Sequence, residues 1–253
     1  MAPIEKNETS IITCKDLTKQ FGNFKAVDQI SFEVKKAEIF GFLGANGAGK
    51  TTAMRILCGL SFPTSGMATV AGFDVYKQQQ QIKRHIGYMS QKFSLYDNLS
   101  VQENITFYAG VYGVPRKEIK TRSKNLLDTL GLSGQADKPV GMLPLGWKQK
   151  LAFSVAIFHR PEIVFLDEPT GGVDPVTRRQ FWEMIYQAAA DGITVFVTTH
   201  YMDEAEYCDR VTIMVDGRIE ALDTPANLKK QFHTDSMDQV FYHLAREAKR
   251  SSD

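Results

Sequence analysis

Short apolar runs rich in β-branched and aromatic residues alternate along this chain with longer stretches whose apolar positions recur at helical spacing. Strands are predicted at 11–14, 30–34, 39–43, 86–89, 163–166, 195–198 and 210–215, and helices at 50–60, 101–112, 117–130, 149–159, 175–190 and 202–207. The uninterrupted runs GFLG, IVFL and TVFV read as strands buried on both faces, as in a parallel sheet covered by helices. Such alternation points to an α/β fold. Ser100 followed by Glu103 forms a capping box at the head of the second helix, the hydroxyl accepting from the Glu amide while the carboxylate reaches back. From 91 to 150 the pattern is helical without a convincing strand, so this stretch reads as an inserted helical lobe. The four glutamines 78–81 read as an exposed helix face. Near the C-terminus, Met237, Val240, Phe241 and Leu244 share one helical face, followed by Arg246, Lys249 and Arg250, which predicts a helix packed on its own domain.

Composition changes this picture little. Of 253 residues, 43% are hydrophobic, and the formal net charge is +1, as in an ordinary globular protein. That balance argues against a nucleic-acid binder relying on a strongly basic face. No run approaches the 18 or so apolar residues of a bilayer span, and the start MAPIEKNETSIITCK lacks the apolar core of a signal peptide. The chain is therefore expected to stay where it is made. Cys14, Cys58 and Cys208 fit neither a disulfide framework nor a zinc spacing and read as buried, reduced thiols.

Candidate chemistry is concentrated at strand ends. Gly44, Ala45, Asn46, Gly47, Ala48, Gly49, Lys50 and Thr51 fit GxxxxGK[ST] between the apolar run IFGFL and the helical run TTAMRILCGL, the context this motif requires. Glycines let successive amides point at phosphate oxygens, and the helix beginning near Lys50 adds its positive end. Lys50 is placed to reach the β and γ phosphates and the Thr51 hydroxyl to ligate Mg²⁺. A second apolar strand ends in Asp167 and Glu168, where one carboxylate can hold the metal while the other polarises the water that attacks the γ-phosphate. His200 follows the run ITVFVTT, at the end of a buried strand where ligands collect on open α/β sheets.

In order, the phosphate loop, Gln91, the helical insertion, LPLGWKQKL, FLDEPTGGVDP and TTH resemble the ATP-binding subunit of an ABC transporter over roughly 12–228. The resemblance implies a P-loop NTPase with a RecA-like core, an N-terminal antiparallel β subdomain and an inserted α-helical subdomain. It implies one domain, its core at about 11–91 and 151–223, the helical part at about 92–150 and a helical tail at about 224–253. It implies Mg²⁺-dependent ATP hydrolysis, with Glu168, His200 and Gln91 catalytic and Thr51, Gln91 and Asp167 at the metal. Thr52 joins the nucleotide-binding set, Phe21 is the aromatic that stacks on adenine, Gly146 serves the phosphate of a second subunit, and Asp174 is a dimer contact. Without the resemblance, Phe21 would read as a core or turn aromatic.

This sequence also departs from the family pattern. Where the family carries LSGGQ, this chain has Leu143, Pro144, Leu145, Gly146 and Trp147. Pro144 offers neither hydroxyl nor N–H, and Leu145 crowds the approach, leaving Gly146 and the following helix start for an anion. Gly171, where serine is common, implies a looser loop. The run FSLYDNLSVQENITFYAGVYG and the segment HYMDEAEYCDRVTIMVDGRIEALDTP are similar to ABC-2 type exporters of the drug-resistance class, some of which carry two such domains in tandem. The implied partners are a second ATP-binding domain, identical or not, and an integral ABC-2 permease, with the chain peripheral on the cytoplasmic face of the cell membrane. Two other readings stay open: a soluble ABC-type ATPase acting on ribosomes or DNA, and a catalytically weakened regulatory subunit.

Overall fold

The computed structural model describes residues 10–91 and 95–250, the last four by their backbone alone. The start read for a signal peptide lies outside them up to residue 9, as do Phe93 and Ser94 of the run after Gln91 and the side chains of Lys249 and Arg250. Two sheets carry the architecture. The first is antiparallel, in the order β2-β1-β4-β5, formed by β1 (Ser10–Phe21), β2 (Phe24–Lys35), β4 (Ser65–Val70) and β5 (Phe73–Asp74). The second runs β10-β9-β3-β8-β7-β6, from β3 (Ile39–Gly44), β6 (Ile86–Met89), β7 (Ile163–Asp167), β8 (Thr194–Thr199), β9 (Arg210–Val215) and β10 (Arg218–Asp223). Strands β9, β3, β8, β7 and β6 pair in parallel and only β10 is antiparallel.

Every residue of β3, β7 and β8 is buried, as their unbroken apolar runs require. One face of this sheet meets the antiparallel sheet and helix α1 (Lys50–Leu57) through a cluster of aromatic rings. In that cluster Phe42 lies 5.2 Å and Phe165 5.3 Å from Phe196, spacings at which each aromatic pair adds about 0.5–1.5 kcal/mol beyond its burial. The opposite face is covered by α5 (Leu145–Ala156), α6 (Pro175–Ala190), the short α7 (Pro225–Gln231) and α8 (Met237–Arg250). Met237, Val240 and Leu244 are buried there, so α8 packs on its own domain as its apolar face predicts.

The helical insertion holds α3 (Val101–Val111) and α4 (Arg116–Leu130) and shares a third core with α5, built on Val101, Ile105, Leu127, Val140 and Leu151. The capping box is present: Glu103 N donates to Ser100 Oγ at 3.1 Å and Ser100 N to Glu103 Oε2 at 2.7 Å. No described helix is long and apolar enough to cross a membrane.

Several elements differ from their expectation for physical reasons. The strands read at 11–14 and 30–34 are parts of one long hairpin whose alternation is broken by bulges, with Asp16 and Gln29 at positive φ. β4, β5 and β10 escape sequence reading because they lie at or near sheet edges, half exposed, and carry no apolar run. Helix α5 begins four residues before the expected 149, with Pro144 at its N-cap. Residues 202–207 form a 3-10 turn and not an α-helix. Of the glutamines, Gln78 caps α2 (Gln79–His85) and the other three start it. The three cysteines are buried, and burial pushes each thiol well above its ordinary range. His159 stacks on Tyr112 at 3.9 Å, and burial holds its imidazole down at about 4.

Candidate nucleotide-binding site

The phosphate loop joins β3 to α1 and is braced from behind by the rest of the domain. Gly49 occupies φ +102, and a Cβ there would fall 2.1 Å from the Ala26 carbonyl, so no other residue fits without moving β2. Asp28 N donates to Gly217 O at 2.8 Å and Gly217 N to Ala48 O at 3.1 Å, tying the loop to β2 and to the β9–β10 turn. Lys50 is 4% exposed, and its ammonium donates to the carbonyls of Gly44 (2.8 Å) and Ala45 (3.0 Å). Burial lowers its pKa, while Glu168 opposes that shift.

Asp167 and Glu168 end β7 beside this loop. Asp167 Oδ1 accepts from Thr198 Oγ1 at 2.7 Å and from Thr51 Oγ1 at 3.2 Å, which places the phosphate-loop threonine and the strand carboxylate on one spot. Glu168 sits at φ +47, an unusual conformation for a residue with a side chain, held by its amide donating to Thr198 O and Thr198 Oγ1, each at 3.1 Å. Its Oε1 lies 3.5 Å from Lys50 Nζ. Its Oε2 accepts from Gln91 Nε2 at 3.0 Å and lies 3.0 Å from His200 Nδ1. Residues from the ends of β3, β6, β7 and β8 thus converge on one carboxylate.

The site holds a thermodynamic cost. Asp167 is 3% exposed, and burial raises its pKa, with Glu168 adding to the rise and Thr198, Thr51 and Lys50 opposing it. A carboxyl raised on folding loses stability as pH climbs from the ordinary carboxylate value through the raised one, and the deficit is complete above it. Asp167→Asn should therefore melt higher than the parent near neutral pH. Differential scanning calorimetry at descending pH should show the gap closing as both forms of the parent become protonated.

Other candidates lie apart from this centre. Phe21, at the tip of β1, is 56% exposed with Lys19 Nζ 5.0 Å from its ring, so it is a presented aromatic and not a core one. Gly146 lies in the first turn of α5, and a Cβ there would meet Thr177 Cγ2 at 2.7 Å. Asp174 caps α6: it accepts from the amides of Val176 and Thr177 at 3.0 Å and from the Thr177 hydroxyl at 2.5 Å, bonds that hold its carboxyl below the usual range, the Thr177 hydroxyl foremost. Both residues border a 340 Å³ groove lined also by Pro144, Leu145, Trp147 and Lys150. The loop expected to be looser at Gly171 is tied on both sides, its amide donating to Glu168 O at 3.2 Å and its carbonyl accepting from Gln149 at 3.3 Å. Nothing local in the sequence marks Thr198, which the parallel register sets opposite Asp167, or the buried Thr170 and Glu204.

The sequence profile described as ABC transporter matches residues 27–171, a span that includes the phosphate loop and the Asp167–Glu168 pair. The chain belongs to the ABC transporter family. This ABC-type chain is 47% identical over 240 residues to the "Probable multidrug ABC transporter ATP-binding protein YbhF" of Escherichia coli strain K12, covering 93% of this chain and 42% of that protein. It thus spans about two fifths of that relative's length. It is 35% identical to the "Linearmycin resistance ATP-binding protein LnrL" of Bacillus subtilis strain 168, covering 91% of this chain and 74% of the relative. It is also 38% identical to the "Bacitracin transport ATP-binding protein BcrA" of Bacillus licheniformis, covering 83% and 69%. Among solved structures, one described as the ATP binding subunit of an ABC transporter superposes with a TM-score of 0.84 at 26% identity, covering 93% of this chain and 99% of that one. The fold is that of the ABC-type P-loop NTPases.

Proposed function

We propose that this chain is the ATP-hydrolysing motor of an ABC-2 type exporter, two such domains closing head to tail around two ATP molecules. The observation that carries the reading is the position of Glu168, whose two oxygens face Lys50 on one side and Gln91 and His200 on the other. In this reading Glu168 orients and deprotonates the attacking water, His200 steadies that carboxylate and the γ-phosphate, and Lys50 leaves its loop carbonyls for the phosphates. Phosphate-loop amides from Gly44 to Thr52 cradle the chain of phosphates, and Phe21 stacks on the base. Thr51, Asp167 and Gln91 form an all-oxygen donor set that fits a magnesium ion, which when bound would neutralise phosphate charge.

The composite half of the site is supplied by Gly146 and the start of α5, with Asp174 presented beside them on the same groove. Leu145 is exposed at its mouth, so the γ-phosphate of the partner domain is gripped mainly by backbone N–H groups. The chain acts as one domain, its core at 11–91 and 151–223, its lobe at 92–150 and its tail at 224–253. Tyr96, Phe107 and Val111 expose apolar surface on the lobe that follows Gln91, a suitable contact for a permease loop on the inner membrane face. The relatives named for multidrug, linearmycin and bacitracin support an antibiotic-like cargo.

The test is the concentration dependence of turnover. If each site is completed by a second domain, the phosphate released per chain should rise with protein concentration before levelling, and EDTA should abolish it. A strictly constant rate per chain across a hundredfold dilution would overturn the head-to-tail arrangement. Capture of an ABC-2 permease with the chain, using detergent-solubilised membranes, checks the partner.

A further inference from the structure

Behind Glu168 lies a buried polar cluster that none of the sequence motifs accounts for. Glu204, in the 3-10 turn that follows His200, is 0% exposed. Its Oε1 accepts from the Thr170 hydroxyl at 2.5 Å and lies 3.7 Å from Arg178 Nε, while no donor among the described residues reaches its Oε2. Thr170 is itself 1% exposed and stands two residues beyond Glu168. Arg178, in the first turns of α6, lays its guanidinium 4.4 Å from the ring of Tyr201, which in turn lies 4.2 Å from the ring of His200. On the other side of the same loop, Gln149 of α5 is fully buried and donates to Gly171 O, its own Oε1 without a partner among the described residues.

A buried carboxylate and a buried amide, each only half satisfied, are costly to hold. Apolar side chains of the same shape would pack there more cheaply, so stability alone does not account for these contacts. What they have in common is the segment they grip. Thr170 and Gly171 are fastened from two directions, to the turn that follows His200 and to the helix that begins with the LPLGW segment. The loop cannot shift without moving Glu168 relative to both.

We propose that Thr170 and Glu204 are positioning residues, their hydroxyl–carboxylate bond keeping the Glu168 loop in register with the His200 segment so that both side chains meet the same water and phosphate. This rests on the reading of Glu168 as the water-activating group. Neither residue touches substrate. Their effect is on the geometry of the step and not on nucleotide affinity, since the phosphate loop is braced independently through Ala26, Asp28 and Gly217.

Steady-state kinetics of the full chain carrying Thr170→Val, Thr170→Ser, Glu204→Gln or Glu168→Gln provide the test, with melting temperature measured alongside. Thr170→Val should lower kcat about tenfold, the scale on which sub-ångström misplacement acts, with KM for ATP within twofold of the parent. Thr170→Ser should recover at least half of the lost kcat, because it restores the hydroxyl. Glu204→Gln, which leaves the hydroxyl a weaker, neutral acceptor and removes the charge 3.7 Å from Arg178 Nε, should lower kcat at least threefold at unchanged KM and stands in should the valine variant fail to fold. Parental kcat in both Thr170→Val and Glu204→Gln overturns the inference, and so does a serine variant as slow as the valine one. If Glu168→Gln is slow while Thr170→Val and Glu204→Gln are both parental, only the inference falls; if Glu168→Gln turns over at the parental rate, the reading beneath it falls too.

Discussion

Glu168→Gln lowers ATP turnover by about a hundredfold or more while ATP affinity stays within a few fold of the parent. The magnitude is that of removing a positioned general base, typically 10²–10⁴ in rate. The amide keeps the volume of the carboxylate and can still accept from Gln91 or His200, which lie 3.0 Å from Oε2, so the loop and its neighbours stay in place. It cannot take a proton from water, and it removes the charge 3.5 Å from Lys50. Phosphate release gives the rate, a fluorescent ATP analogue gives the affinity, and light scattering with ATP should reveal an accumulating dimer. Parental phosphate release would assign water activation to another group.

Lys50→Met should cost about a hundredfold or more in ATP affinity without unfolding the chain. Charged hydrogen bonds are worth about 1.5–3 kcal/mol each, and an ammonium reaching two phosphate groups makes at least two of them. The fold should tolerate the change. Lys50 is 4% exposed and its ammonium is held against the cost of burial, which methionine of similar length does not bear. The expected pair of results is therefore a strongly weakened ATP titration by isothermal calorimetry and a melting temperature equal to or above that of the parent. A lowered melting temperature with unchanged affinity would place Lys50 among structural residues.

Much of this site was legible because its parts sit where apolar strands stop. The unbroken runs before Gly44, Asp167 and His200 identified three buried parallel strands, and ligands gather at such ends whatever the chemistry. The Gly49 requirement is likewise visible in the motif, and its reason emerges only when Ala26, more than twenty residues away in sequence, is found against it. The invisible parts are those whose role depends on the far side of the fold. Thr198 is merely a strand residue until the β7–β8 register sets it opposite Asp167. Glu204 looks like one acid among several in MDEAE, since nothing local marks which of them turns inward. The long β1–β2 hairpin shows in the sequence only as two short apolar runs, because bulges break the two-residue period that reveals strands.

The backbone of Glu168 has a consequence for laboratory evolution. Its left-handed φ of +47 is a conformation that glycine adopts freely and other residues adopt at a penalty. The buried carboxyl beside it and the desolvated ammonium facing it add to the same local deficit. A library of this chain screened only for heat resistance would thus enrich glycine or asparagine at 168 and neutral residues at 167 and 50. Such survivors would be hardy and inert, so heat resistance and ATP turnover have to be selected together.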